Sequence, residues 1–304
     1  MVTDPSMSFK HAFVTGATGI VGVALCRKLI EMGVSITAYS RGTKAAVLPI
    51  GVDHVQGDIL DRDDLVASAS GSGVIFHVAA AVHGSASTYE EFEQMNVLGT
   101  QNAIRAALET GAKLVHVSTV NVEGFRNGSL ADPYAATKSM AEDLVIGAVA
   151  NGLDAVIVRP ASVFGNETGK SGLLVDRLLA GSLKVLPAPS RCISPVWSDD
   201  LAIALIRAAE VGISGRVYTV AGPTMSTGDF LKLVARGADV RGPILTIPAV
   251  VFAVPLRIAW WTKALTRWTP PVSVESLMNG SAHDGASAEA ELGFAYTPIS
   301  KIFG

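Results

Sequence analysis

Tyr134 and Lys138 stand four residues apart just after Pro133, a spacing that puts a phenol and an ammonium on one face of a helix whose first turn the proline opens. A free phenol ionises near pH ~10, too high for proton transfer at neutral pH, and a neighbouring ammonium favours the phenolate and lowers that value. Such a pair is a usable acid or base. A hydroxyl is also at hand, because an apolar run over residues 113–117 ends in Ser118-Thr119, and Thr119 can hold a substrate oxygen beside Tyr134. Tyr-x-x-x-Lys alone is common on helix surfaces, so its meaning depends on the elements around it.

The strongest of these is Phe13-Val14-Thr15-Gly16-Ala17-Thr18-Gly19-Ile20-Val21-Gly22, an apolar strand followed by three glycines at intervals of three and an amphipathic stretch over residues 21–32. Strand, tight turn and helix in that order make a dinucleotide-binding turn. Gly16 permits the sharp turn, Gly19 lets the backbone approach a pyrophosphate, and Gly22 lets the helix pack close to the sheet. Thr18 and Ile20 flank the place where phosphates meet the helix N-terminus. A second strand over residues 35–39 ends in Ser40-Arg41-Gly42-Thr43-Lys44. An NAD site carries a carboxylate there for the ribose hydroxyls. Here Arg41 and Lys44 offer two cations where a 2′-phosphate would sit, which favours NADP(H); if both are solvated loop cations, NAD(H) is possible.

The remaining strands build one crevice. Residues 53–56 read as a third strand, after which Asp58 either accepts from the adenine amine or caps the turn, with Ile59 beside it; Asp61 reads as the N-cap of a helix from about Arg62. Residues 74–78 form a fourth strand running into Ala79, Ala80 and Ala81, small side chains that leave room for a cofactor. His77 reads as a core histidine, and His83, in a Gly/Ser-rich loop, can line a substrate entrance or simply face solvent. Residues 90–109 have helical spacing throughout, and Asn96 inside them must find partners if buried. The fifth strand places Thr119 at the sheet's C-terminal edge, where open α/β sheets hold ligands.

With 304 residues, 49% of them hydrophobic, the chain can fill a substantial core. A net charge of −3 gives no basic field for nucleic acid. Cys26 and Cys192, the only two cysteines, form neither a disulfide framework nor a metal site, and residues 1–10 lack a signal-peptide core, so a cytoplasmic setting is expected.

In these motifs the chain resembles the extended short-chain dehydrogenase/reductases, also called the NAD-dependent epimerase/dehydratase family. The resemblance also draws on Asn96-Val97-Leu98-Gly99-Thr100, residues 118–124, Arg159-Pro160-Ala161-Ser162-Val163-Phe164-Gly165 and Val196-Trp197-Ser198-Asp199-Asp200-Leu201-Ala202. It implies a doubly wound parallel Rossmann sheet over residues 8–165 and about 191–220, with an interleaved substrate-binding lid from residues 166–190 and 221–304. It implies Thr119 as the catalytic hydroxyl, Tyr134 as acid/base and Lys138 as a further ligand of the nicotinamide ribose. Pro160 and Val163 join the cofactor residues; Asn121 and Phe164, with His83, face substrate. Relatives often form homodimers through the helices that here carry Asn96 and Tyr134.

Departures from the family pattern narrow the reaction. Val120-Asn121 replaces the Asp-Glu pair of the sugar-nucleotide dehydratases, Ser162 replaces an epimerase's diphosphate-binding Asn, and Ile193 replaces its Arg. The later residues look like those of 3β-hydroxysteroid dehydrogenase-like and dihydroflavonol reductase-like members, including Ala290-Glu291-Leu292-Gly293-Phe294. Residues 247–268 are very apolar but broken by Pro248 and Pro255, which suits a lid over a greasy pocket, an interfacial membrane contact or ordinary core. The expected activity is interconversion of a secondary alcohol and a ketone on a small apolar substrate, sterol-, lipid- or flavonoid-like. The rivals are a sugar-nucleotide epimerase with bound NAD and a non-catalytic NADP(H)-binding regulator.

Overall fold

The computed structural model describes residues 7–42, 45–165, 173–243, 245–248, 250–251 and 280–303. Seven strands form one sheet: β1 (His11–Thr15), β2 (Ser35–Ser40), β3 (Asp53–Gln56), β4 (Val74–His77), β5 (Lys113–Val117), β6 (Ala155–Pro160) and β7 (Val217–Val220). Their order is β7-β6-β5-β4-β1-β2-β3, and every neighbouring pair is parallel. The order reverses between β1 and β4, so a crevice opens there at the strands' C-terminal ends. The late strand β7 returns beside β6.

Side chains alternate faces along a strand, and here both faces are buried. Ala12 and Val14 of β1, with Phe76, Val115 and Val158, pack under α1 (Ile20–Glu31). Phe13, between them in sequence, points the other way with Ile75, Leu114 and Ile157, toward α2 (Arg62–Ser68). The sheet is therefore a middle layer. The Asp61 side chain caps α2 by accepting from the Asp64 N–H at 3.1 Å.

The segment expected to run as one helix over residues 90–109 is instead three pieces. Helix α3 (Tyr89–Glu93) passes through a π-helical turn, Gln94–Leu98, into α4 (Gly99–Thr110). The wide turn carries Asn96, which is 0% exposed: Ala81 N–H donates to its Oδ1 at 2.7 Å, and its Nδ2 donates to Ala81 O at 3.2 Å and Thr137 Oγ1 at 3.0 Å. Thr100 Oγ1 donates back to the Asn96 carbonyl at 2.6 Å, taking up an acceptor of the widened turn. Inserted turns of this kind recur at functional sites.

Helices α5 (Asn121–Arg126) and α6 (Pro133–Ala150) follow β5. A third apolar cluster stands apart from the two sheet faces. In it Phe164, Leu178 of α7 (Leu173–Leu179) and Leu186 pack with residues that come after α8 (Ser198–Val211), namely Phe230 and Val234 of α9 (Thr227–Gly237). Later, α10 (Ala286–Leu292) packs on α8 and β7, and α11 (Ile299–Ile302) on α9. Asp200 in α8 anchors this terminal segment, accepting from Thr297 N–H at 2.8 Å and Thr297 Oγ1 at 2.7 Å. No helix among the described residues is long and apolar enough to cross a membrane. Most of the apolar stretch 247–268 lies outside the described residues.

Candidate active site

The glycine turn is shaped by close approaches. Gly16 sits at φ +68°, and a Cβ there would come within 2.6 Å of Ala79 N at the end of β4. Gly22 is tight against the turn itself rather than the sheet, since its Cβ would lie 2.3 Å from Gly16 O and 2.6 Å from Ala17 Cα. Gly19 differs: it is exposed, and a Cβ there would meet only Gly16 O at 3.4 Å. It is also the N-cap of α1, with no side-chain cap and no acidic residue in the first turn. The helix therefore presents free N–H groups at an open backbone, which fits a dinucleotide's phosphates.

Around this turn Thr18, Ile20, Ala79 and Ala80 are half-buried along the crevice. Ile59 is buried against Gly99, and Asp58 Oδ1 accepts from Leu60 N–H at 3.0 Å, the turn-capping role. Arg41 is exposed at the end of β2, and Lys44 lies outside the described residues. Pro160 is buried at the end of β6, its carbonyl accepting from Val120 N–H at 3.2 Å; Val163 packs against the sheet core.

At the end of β5, Thr119 is buried, and its Oγ1 accepts from Asn121 N–H at 3.3 Å. Asp132 caps α6 by accepting from Ala135 N–H at 3.2 Å, which fixes the first turn bearing Tyr134. Lys138, one turn on, is 1% exposed and donates to Val117 O at 2.7 Å. Burial pushes the Tyr134 phenol up to about 12, against the Thr119 hydroxyl, which lowers it. Burial pulls Lys138 down to about 8, against Glu142, which raises it. This departs from the expected lowering of the phenol: the Lys138 ammonium is engaged by β5, and desolvation dominates at Tyr134. The protein thus presents a neutral phenol, a proton donor, at neutral pH.

His83 Nε2 lies 3.1 Å from Asp132 Oδ1, and its ring stands edge-on to Tyr134 with centroids 5.8 Å apart. It is exposed at the mouth of the site. Asn121 opens α5, half-buried two residues beyond Thr119. Phe164 is not brought to the cleft surface; it is buried against Trp197, Phe230 and Phe303. His77 is a satisfied core histidine held down to about 3 by burial, with Thr15 and Thr100 hydroxyls on its two nitrogens at 2.9 and 3.1 Å.

Residues 12–221 match the NAD dependent epimerase/dehydratase family. The chain belongs to that family. It is similar to the 2-alkyl-3-oxoalkanoate reductase of Stenotrophomonas maltophilia (strain K279a), 30% identical over 72% of this chain and 71% of the relative. It is also similar to the 4-hydroxy-2-methyl-3-oxo-4-farnesyl-3,4-dihydroquinoline-1-oxide ketoreductase of Stigmatella aurantiaca, 30% identical over 78% of this chain and 76% of that one. The crystal structure of gox2253 superposes with a TM-score of 0.83 over 97% of this chain and 96% of its own, at 25% identity. The protein is an NAD(P)-dependent oxidoreductase of the extended short-chain dehydrogenase/reductase type.

Two buried polar residues escape a reading of this family's motifs. Glu142, fully buried four residues beyond Lys138, takes Arg159 bidentately at 2.8 and 2.6 Å and Arg126 at 3.3 Å, tying α6 to β6 and α5. A carboxylate four residues after Lys138, on the same helix face, is its signal. The other is His116, two residues before Ser118 on the strand face that also carries Leu114. Asn96→Leu tests the support beneath the crevice: it leaves Ala81 N–H and O unpaired, so a loss of about 3 kcal/mol in denaturant unfolding is expected together with weaker cofactor binding. Unchanged stability would remove Asn96 from that role.

Proposed function

We propose that the enzyme interconverts a ketone and a secondary alcohol on a small apolar substrate and prefers NADP(H). The observation that carries this reading is the arrangement of buried Thr119, half-buried Tyr134 and buried Lys138, with Tyr134 held protonated. Thr119 holds the substrate oxygen; Tyr134 delivers its proton there as negative charge develops, and Lys138 stabilises the phenolate that results. A bound nicotinamide dinucleotide supplies or takes the hydride. Gly16, Thr18, Gly19, Ile20 and Gly22 would hold its phosphates, with Ala79, Ala80, Pro160 and Val163 along its length.

An apolar keto substrate is supported by the two relatives named as reducing 2-alkyl-3-oxoalkanoates and a farnesyl quinoline oxide. It is supported also by Ser162 and Ile193, which stand where a nucleotide-sugar enzyme would need an amide and a guanidinium. The test is oxidation of NADPH and NADH by the purified protein across a panel of apolar ketones. Turnover with NADPH is expected. Tightly copurifying NAD with sugar-nucleotide isomerisation and no net redox would overturn the reading.

For cofactor preference, Arg41 supplies the cation for the 2′-phosphate. Arg41→Asp should lower the NADPH/NADH ratio of kcat/KM by about tenfold or more, the worth of one charge-assisted phosphate contact. An unchanged ratio would remove Arg41 from that role.

A further inference from the structure

Lys138 meets an unusual partner. Besides donating to Val117 O, its Nζ lies 3.3 Å from Nε2 of His116, which is 0% exposed. An ammonium has three donors and no lone pair, so Nε2 has to be the accepting nitrogen and the ring proton sits on Nδ1. Nδ1 is buried without a hydrogen-bond partner among the described residues. The alternative tautomer would aim Nε2–H at another donor.

The neighbouring ring has the opposite polarity. His77 lies in register with His116 on β4, with centroids 5.6 Å apart and planes 28° from parallel. Thr100 Oγ1 spends its proton on Asn96 O, so it accepts from His77 Nε2–H; His77 Nδ1 then accepts from Thr15 Oγ1, which itself accepts from Ala79 N–H at 3.3 Å. That chain consumes both His77 nitrogens in holding the loop after β4. His116 alone is turned toward Lys138.

We propose that His116 is a positioning residue for Lys138: a neutral Nδ1–H imidazole whose Nε2 takes one ammonium proton while Val117 O takes a second, leaving the third for the cleft beside Tyr134. Among the described residues, the other ionisable groups near Lys138 are Tyr134 and Glu142 on its own helix and His77 on β4, and Glu142 is already matched by Arg159 and Arg126. The two imidazoles are held neutral by burial and by the Lys138 charge. His116 thus supplies an acceptor where a carboxylate would bind the ammonium too tightly and water has no access.

The catalytic consequence rests on the reductase reading, but the hydrogen-bond polarity does not. Correlation spectra of the full chain labelled at its imidazole nitrogens, recorded near neutral pH and assigned with His77 and His116 variants, should show His116 as the Nδ1–H tautomer and His77 as Nε2–H. An imidazolium or an Nε2–H tautomer at His116 would overturn the proposal whether or not any ketone is turned over. In kinetics, His116→Gln keeps an acceptor and should retain kcat/KM within about threefold, whereas His116→Phe should lose about tenfold. With its acceptor gone the Lys138 ammonium is disfavoured, so the alkaline limb of the His116→Phe profile should move to lower pH by about one unit. A His116→Phe loss with an unmoved limb would mean packing alone and would sink the positioning role. A wild type without turnover counts against the reductase reading, and the tautomer still decides this one.

Discussion

Tyr134→Phe is expected to lower kcat/KM for ketone reduction by about a thousandfold or more while NADPH still binds. The variant removes one oxygen and leaves the ring, so the contacts to His83 and Phe92 survive. It takes away the phenol that the first turn of α6 sets near Thr119, a group with a proton to give. A threonine hydroxyl cannot replace it, because an alkoxide is far less stable than a phenolate with an ammonium one helical turn away. Steady-state rates and NADPH fluorescence on the same preparation separate the two effects. Turnover within about tenfold of wild type would remove Tyr134 as the acid, and loss of NADPH binding would show that the phenol instead holds the cofactor.

The charge state of the site sets a pH dependence with a definite sign. Tyr134, pushed up to about 12, remains protonated across the working range, so ketone reduction does not lose its acid on the alkaline side through the phenol itself. Lys138, pulled down to about 8, is the first of the pair to lose its proton as pH rises. Reduction should therefore hold steady below that value and decline above it. An alcohol-oxidising reaction would need the phenolate and would be favoured in the opposite direction.

Much of this was legible because the signals were local. The glycine turn, the apolar strands and the Tyr-x-x-x-Lys helix each carry their pattern within about a dozen residues, and β3, β5 and the start of α6 fall where the residue types place them. What was less legible depends on packing between segments distant in sequence. The π turn at Asn96 answers to Ala81 and Thr137, neither of which a helical periodicity can register. Phe164 lies in a family motif beside the cofactor residues, but its ring turns into the third apolar cluster because Phe230 and Phe303 come back to meet it. The upward shift of Tyr134 comes chiefly from its burial in the folded protein, which a four-residue spacing from Lys138 does not register.

The same distinction between local and distant constraints gives the second large effect, in the glycine turn. A methyl group at Gly22 would meet Gly16 O at 2.3 Å and Ala17 Cα at 2.6 Å, both backbone atoms that cannot swing aside. Gly22→Ala must therefore open the turn or tilt α1, and overpacking of this kind costs about 1–3 kcal/mol. Because the displaced atoms belong to the turn proposed to hold the phosphates, NADPH affinity should fall by about a hundredfold or more, beyond what the stability loss accounts for. Gly19→Ala is the contrasting case. Its methyl meets only Gly16 O at 3.4 Å, so the melting temperature should remain near that of wild type while affinity still drops, the methyl standing where the phosphates approach. Measured together, melting and NADPH titration of the two variants separate a residue that shapes the turn from one that leaves room for the ligand. Wild-type affinity in Gly19→Ala would place the phosphates elsewhere, and an unaffected Gly22→Ala would mean that the backbone around Gly16 yields more readily than its packing implies.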